Sequence, residues 1–338
     1  MSIVSAETLP LAPKSVPAGE GRKHSLLGAE NTDKLNSQDT GGLFHFSEVL
    51  VQPGGGPPPH VHSREDELFY ILEGEMDLEV AGQRVTGGPG TLAYLPRGVA
   101  HRFGNSSTAP ARMLGLITPP EFAGFLRQAA KLADRPDFHP SRLSGLADEY
   151  GVSFGAASAN IGPDGRTPVV SVAGDGECVS VDGADAVVKL TAAQTAGALG
   201  AYDLIVPPAG SPAAHVHDGC DELFYVLDGE FVFRVDGTDL YTRTGSTVFV
   251  PRGAVHQFRN VGESAGRLYS VVTPGGFEGA FARFHAANSA GTITPDEARH
   301  IGAEFQTRYC LGTPQLSRLT VDAISNLRYL VGGTSNRS

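Results

Sequence analysis

The sequence predicts a mainly β protein, built as two small barrels in tandem with short helices after each. Three observations carry that expectation. Residues 60–105 return at residues 215–260 with a constant offset of 155 and no gap, and about twenty aligned positions are identical. A repeat of this quality means one structural unit used twice. Short runs around each copy alternate apolar and polar residues, the pattern of half-buried strands. The 43 glycines and 23 prolines among 338 residues fit short strands joined by tight turns.

Taken in order, residues 1–22 are rich in Pro, Ala, Ser and Gly and read as a flexible arm. A short strand follows at 24–27. The run GGLFHFSEVLVQP alternates and leads through PGGGPPP into His60-Val61-His62. DELFYILEG begins the next strand. EMDLEVAGQRV and its partner EFVFRVDGTDL read as hairpins, with Asp236-Gly237 the stronger turn signal. A strand, a Pro-Arg-Gly turn and a His-bearing strand follow in each copy, and ARMLGLITP and GRLYSVVTP close the barrels. Helices are expected in PEFAGFLRQAAKLA, HPSRLSGLADEY, GFEGAFARFHAANS and TPDEARHIGAEFQTRY. The last has Thr294 as N-cap, Pro295 at the first helical position and Glu297 at the capping-box position. These helices read as packing elements or a homodimer surface rather than chemistry. The expected division is an arm over 1–22, a first domain over 23–150, a linker over 151–168, a second domain over 169–330 and a loose tail over 331–338.

Composition sets outer bounds. Two domains fit the length. The net charge of −11 argues against nucleic acid or an anionic membrane surface as partner. Three scattered cysteines form no metal or disulfide pattern. With no signal-like start and no run of 18 apolar residues, a cytoplasmic location is expected.

The chemistry lies in the repeat. Each copy holds His-x-His, a Glu five residues after the second His, and a His 34 residues later: His60, His62, Glu67 and His101, then His215, His217, Glu222 and His256. Residues i and i+2 of a strand share a face, so each His-x-His pair points one way. Imidazole and carboxylate suit a divalent transition metal, and the lack of thiolate argues against a structural zinc site. Four ligands leave one or two positions open, as a catalytic metal needs. The expected inward neighbours are Phe69, Ile71 and Phe103, then Phe224, Val226 and Phe258. Such walls suit an apolar or aromatic ligand. Arg97 and Arg252, in the Pro-Arg-Gly turns, read as solvated turn residues. His24, His45, His139, His285 and His300 read as ordinary core or surface histidines.

These motifs are similar to those of the cupin superfamily. Gly54, His60, His62, Glu67 and Gly74 resemble the first cupin motif, and Gly90, Pro96, Gly98, His101 and Asn105 the second. Gly229, Gly245, Pro251, Gly253, His256 and Asn260 repeat the pattern, with Ala209 standing where Gly54 stands. The resemblance covers residues 40–120 and 195–275. It implies two jelly-roll cupin domains and one metal per domain, with Fe, Mn, Ni, Co or Cu as candidates. Length, duplication and ligand set resemble quercetinase-like bicupins, which are flavonol dioxygenases. On that resemblance the substrates are a hydroxylated aromatic or enolic molecule and O2, and Glu67 or Glu222 is the catalytic base. Oxalate decarboxylases share the ligand set, so another bicupin metalloenzyme, a decarboxylase or an isomerase, is the alternative. A non-enzymatic ligand-binding bicupin is a further one.

Overall fold

The computed structural model describes residues 11–310 other than Pro140, residues 156–159, Glu177 and residues 182–183. Residues 1–10 of the expected arm, residues 311–330 and the expected tail at 331–338 lie outside the described residues. Each half is a barrel of two facing antiparallel sheets. In the first half the larger sheet runs Val169–Ser171, Leu92–Leu95, Asp66–Glu73, Ala111–Thr118, His45–Val51, Ala29–Leu35, Arg22–Leu26. The smaller runs Val152–Phe154, His60–His62, His101–Gly104, Met76–Val80, Gln83–Gly87. The second half repeats this order, with Asp221–Asp228 third in its larger sheet and His215–His217 beside His256–Asn260 in its smaller one.

Side-chain alternation explains the two kinds of strand. In Met76–Val80 the apolar residues Met76, Leu78 and Val80 are buried and the acids between them are half-exposed. Asp66–Glu73 is instead apolar on both faces. Phe69 and Ile71 enter their own barrel, while Leu68 and Tyr70 join a second core between the barrels. A strand covered on both faces reads as a continuous apolar run. In that second core Tyr70 meets Tyr269 at 4.3 Å and Phe44 meets Phe249 at 5.8 Å between ring centroids. The buried Tyr70 hydroxyl donates to Asp203 of the other barrel at 2.9 Å.

The turns follow the expected chemistry. Ala81-Gly82 and Asp236-Gly237 all have positive φ, as a type I′ hairpin turn requires. Ala209 adopts φ +63° where Gly54 has +76°. Its N–H reaches the Asn260 carbonyl at 3.1 Å, as that of Gly54 reaches Asn105 at 2.7 Å. The turn therefore survives the loss of glycine and the strands after it keep their register. No helix among the described residues is long and apolar enough to cross a membrane.

Two expectations about connecting segments are corrected. Within the arm, Lys14–Val16 is a strand paired with Thr247–Val250 of the second barrel. Within the linker, Val152–Phe154 pairs with His60–His62. Val169–Ser171, which opens the second repeat, pairs with Leu92–Leu95 of the first barrel. Each repeat thus lends its leading strand to the other barrel. The reason is physical: Leu92–Leu95 and Thr247–Val250 would otherwise present unpaired edges. Val16 also buries its side chain in the core between the barrels. Val16→Ala should cost about 2 kcal/mol and lower the calorimetric melting temperature by about 4–8 °C. An unchanged melting temperature would mean that the exchanged strand adds nothing.

Candidate metal centres

The repeated residues converge. His60 and His62 lie on the smaller sheet with Val61 facing away, and His101 sits directly across from His60. Glu67 comes from the larger sheet opposite. The same holds for His215, His217, His256 and Glu222. In each set one ligand atom per residue lies within 4.8 Å of the others, and all eight residues are buried. The Glu67 carboxylate stands 2.9 Å from His101 Nε2 and 3.6 Å from His62 Nε2. Glu222 stands 3.2 Å from His256 Nε2 and 3.3 Å from His217 Nε2.

Backbone carbonyls orient the rings. His60 Nδ1 donates to Pro58 at 2.9 Å, His101 Nδ1 to Val99 at 3.0 Å, His215 Nδ1 to Ala213 at 2.8 Å and His256 Nδ1 to Ala254 at 3.1 Å. A carbonyl only accepts, so the proton is on Nδ1 and Nε2 turns its lone pair inward. Electrostatics agree. Burial, then His101 and His62, push His60 down to about 3. Burial, then His256 and His217, drive His215 well below its ordinary range. Burial opposes ionisation of Glu67, yet His62, His101 and His60 outweigh it and hold the carboxyl at about 2. Neutral imidazoles beside an ionised carboxylate are the states that metal binding requires.

The two centres differ in their surroundings. His217 Nδ1 meets Thr307 Oγ1 at 2.9 Å. His62 Nδ1 instead faces the carboxylate of Glu65 at 3.7 Å. At the matching positions the first copy has Val152 for Thr307, and the second has Cys220 for Glu65. One Glu222 oxygen accepts from the Tyr202 hydroxyl at 2.5 Å and from Ser270 Oγ at 3.1 Å. Ser47 and Gly115 occupy those places in the first copy. Glu65, Tyr202, Ser270 and Thr307 lie outside the residues expected from sequence. Of these only Glu65 falls in the aligned repeat, where the copies disagree beside a residue that agrees, Asp66; Tyr202, Ser270 and Thr307 lie beyond it.

The residues fit a metal. His62, His217 and His256 Nε2 and the second Glu222 oxygen are buried without a hydrogen-bond partner. Such atoms are costly unless a cation satisfies them. Three imidazoles and one carboxylate suit a divalent transition metal.

Each centre opens into an apolar cavity. Phe69 and Phe103 line the first, Phe224 and Phe258 the second. Ile71 and Val226 do not line these cavities. They point into the barrel cores, because they lie further along their strands than Glu67 and Glu222. The helices are also corrected. Phe122–Ala133 and Ser141–Glu149 roof the first cavity through Phe122, Phe125 and Leu143. Gly279–Ser289 and Pro295–Glu304 roof the second through Phe281 and Ala298. Phe122 and Phe277 stand edge-on to His62 and His217 at 4.2 Å. Thr294 does cap its helix, accepting from the Glu297 N–H at 3.1 Å.

Arg97 and Arg252 are not merely solvated. Arg97 binds buried Asp66 through its backbone N–H and Nε, both at 2.9 Å, and Arg252 binds Asp221 at 2.9 and 3.0 Å. Each ties the turn before a ligand histidine to the strand bearing the ligand glutamate. His45 and His24 flank Asp33 at 3.1 and 3.6 Å beneath Arg127, a polar group joining the first barrel to its helix.

Comparison with known proteins agrees with this architecture. Residues 47–117 and 202–272 match the cupin domain family. The chain therefore carries two cupin domains and is a bicupin. It is 26% identical over 292 residues to quercetin 2,3-dioxygenase of Bacillus subtilis, across 80% of this chain and 85% of that protein. A 67-residue stretch, 20% of this chain and 55% of its relative, is 33% identical to an oxalate-binding protein of Thermotoga maritima. The crystal structure of a Lactobacillus farciminis oxalate decarboxylase–formate complex shares the fold, with TM-score 0.57 and 14% identity over 84% of this chain and 95% of that one.

Thr307→Val would give His217 the surroundings of His62 without Glu65. Metal affinity at the C-terminal centre should fall by about 10–100-fold, read by competition with a chelator, while the N-terminal centre is unchanged. Acid should act on the metal-free protein in a defined order. The unfolded chain protonates His60 near pH 6.5 and the folded chain only near 3, so stability falls as pH drops through that interval. Glu67 adds a loss between 4.5 and about 2. Bound metal should move the acid-unfolding midpoint to lower pH, and equal midpoints with and without metal would contradict this.

Proposed function

We propose that the chain is a metal-dependent dioxygenase of the quercetinase type, acting on a flavonol or related hydroxylated aromatic. The observation that carries this reading is the cavity over the C-terminal centre. It measures about 1020 Å³, with Phe224, Phe258, Phe277 and Phe281 on its walls and His215 and Glu222 at its base. That volume admits a flat molecule of several rings, since ligand cavities run from ~300 to ~1,000 Å³. Similarity to a quercetin dioxygenase across most of both chains supports the same reading.

His215, His217, Glu222 and His256 would hold the metal, which supplies Lewis acidity that lowers the pKa of a substrate hydroxyl. The chain's own residues do the rest. The phenylalanine walls clamp the ring system and keep water from the electron-rich form of the substrate. Glu222 takes the hydroxyl proton on the oxygen that Tyr202 and Ser270 leave free. Tyr202 holds the carboxylate so that this oxygen faces His217 and His256. In the overall reaction both atoms of dioxygen enter the product and one carbon leaves as carbon monoxide.

An oxalate-type reaction is less well supported. A small dianion needs cationic partners, and Arg252 is turned away onto Asp221. Arg299, at the cavity wall, is paired with Asp296. The deciding experiment is oxygen uptake with carbon monoxide release on adding quercetin to metal-loaded protein. Formate and carbon dioxide from oxalate, with no oxygen uptake from quercetin, would overturn the reading. Glu222→Gln should keep its metal and lower turnover by about 100- to 10,000-fold. Undiminished turnover would remove Glu222 from the reaction.

A further inference from the structure

The two centres have matching ligands but not matching space. The cavity over the N-terminal centre measures about 80 Å³, against about 1020 Å³ over the C-terminal one. The smaller volume holds roughly two or three waters at ~30 Å³ each. It is well under the ~300 Å³ at which drug-sized ligands begin to fit.

The repeat offset identifies the side chains responsible. Two helices roof each barrel, and the barrels beneath have the same strand order. Phe125 and Leu143 line the N-terminal cavity; at the matching positions the second copy has Ala280 and Ala298, of which Ala298 lines the C-terminal cavity. Phe125 stacks nearly parallel on Phe122 at 5.1 Å, whereas in the C-terminal roof Phe281 meets Phe277 edge-on at 5.5 Å. Phe154 and its counterpart Tyr309 stand alike beside His60 and His215, each with ring centroids 6.2 Å apart, so they do not account for the difference. Leu143 against Ala298 is the substitution at which both residues line their cavities.

We propose that the two metal centres have divided their ligands by size. The C-terminal centre alone takes the polycyclic aromatic substrate, and Ala298 is the residue that admits it. The N-terminal centre is restricted to ligands of a few heavy atoms, such as dioxygen or a short carboxylate. This rests on the dioxygenase reading for the identity of the aromatic ligand, but the size division stands on the roofs.

Anaerobic titration of metal-loaded protein with quercetin, followed by absorbance, tests it, with metal counted in every variant. Wild type should bind one equivalent per chain while holding two metals. Ala298→Leu adds a side chain in open space away from the ligands. It should weaken that binding at least about tenfold and leave both metals in place. Phe125→Ala with Leu143→Ala should create a second equivalent. Two equivalents in wild type, or one that Ala298→Leu does not weaken, would overturn the division and leave the dioxygenase reading intact. A folded double variant with two metals and still one equivalent would overturn the roof as its cause. No quercetin bound by loaded wild type would overturn the dioxygenase reading itself, and with it the aromatic assignment made here.

Discussion

Three imidazoles and a carboxylate are buried between two sheets in each half, and their inward atoms have no partner but one another. That arrangement is expensive. Unpaired polar atoms in a low-dielectric interior are costly to bury, so the surrounding chain must hold them against the alternative of turning outward. It does so with backbone. Pro58, Val99, Ala213 and Ala254 each offer a carbonyl to an Nδ1–H from two residues earlier in the chain. The geometry of a strand therefore sets the tautomer directly. The Pro-Arg-Gly turns extend the restraint, because Asp66 and Asp221 tie them to the strands that carry the glutamates. A metal would meet a set of donors already aimed, with little left to reorganise.

The duplication explains why the halves do not behave as beads on a string. Each larger sheet has a second apolar face, and those faces meet in a core shared by both barrels. The leading strand of each repeat crosses to the other barrel. Both devices solve one problem: a six-stranded sheet would otherwise end on an unpaired Leu92–Leu95 or Thr247–Val250 edge and leave a greasy face in water. Stability of either half is therefore coupled to the other.

Much of this was legible in the sequence, and for a specific reason. His-x-His, the following Glu and the later His sit in strands where period-2 alternation fixes direction, and the repeat supplied a second reading of the same pattern. The hairpin turns and the Thr294 cap were legible because their chemistry is local. What escaped was non-local. Nothing near Lys14 announces a partner at Phe249. The amphipathic stretch at Phe122–Ala133 announced a buried face, but not that the face would lie over a metal centre. Ile71 and Val226 obey the alternation yet sit below the cavities, because the pattern gives side and not depth. Arg97 and Arg252 looked like turn residues, and their partners became visible only when the strand carrying Asp66 or Asp221 was laid beside the turn.

Identical ligands need not mean identical chemistry. Glu222 has one oxygen committed to Tyr202 and Ser270, so its rotation is restricted and only the other oxygen is available to a substrate proton. Glu67 has Ser47 and Gly115 at the matching places, with no phenol to hold it. Tyr202 is itself wholly buried, and its own pKa is raised by burial and by Glu222, so it stays a donor at every relevant pH. A carboxylate held by a permanent donor beneath a wide aromatic cavity suits the large substrate proposed above. A less restrained glutamate under a closed roof does not. The two copies began from one template, and the residues around the metal ligands, rather than the ligands, now distinguish them.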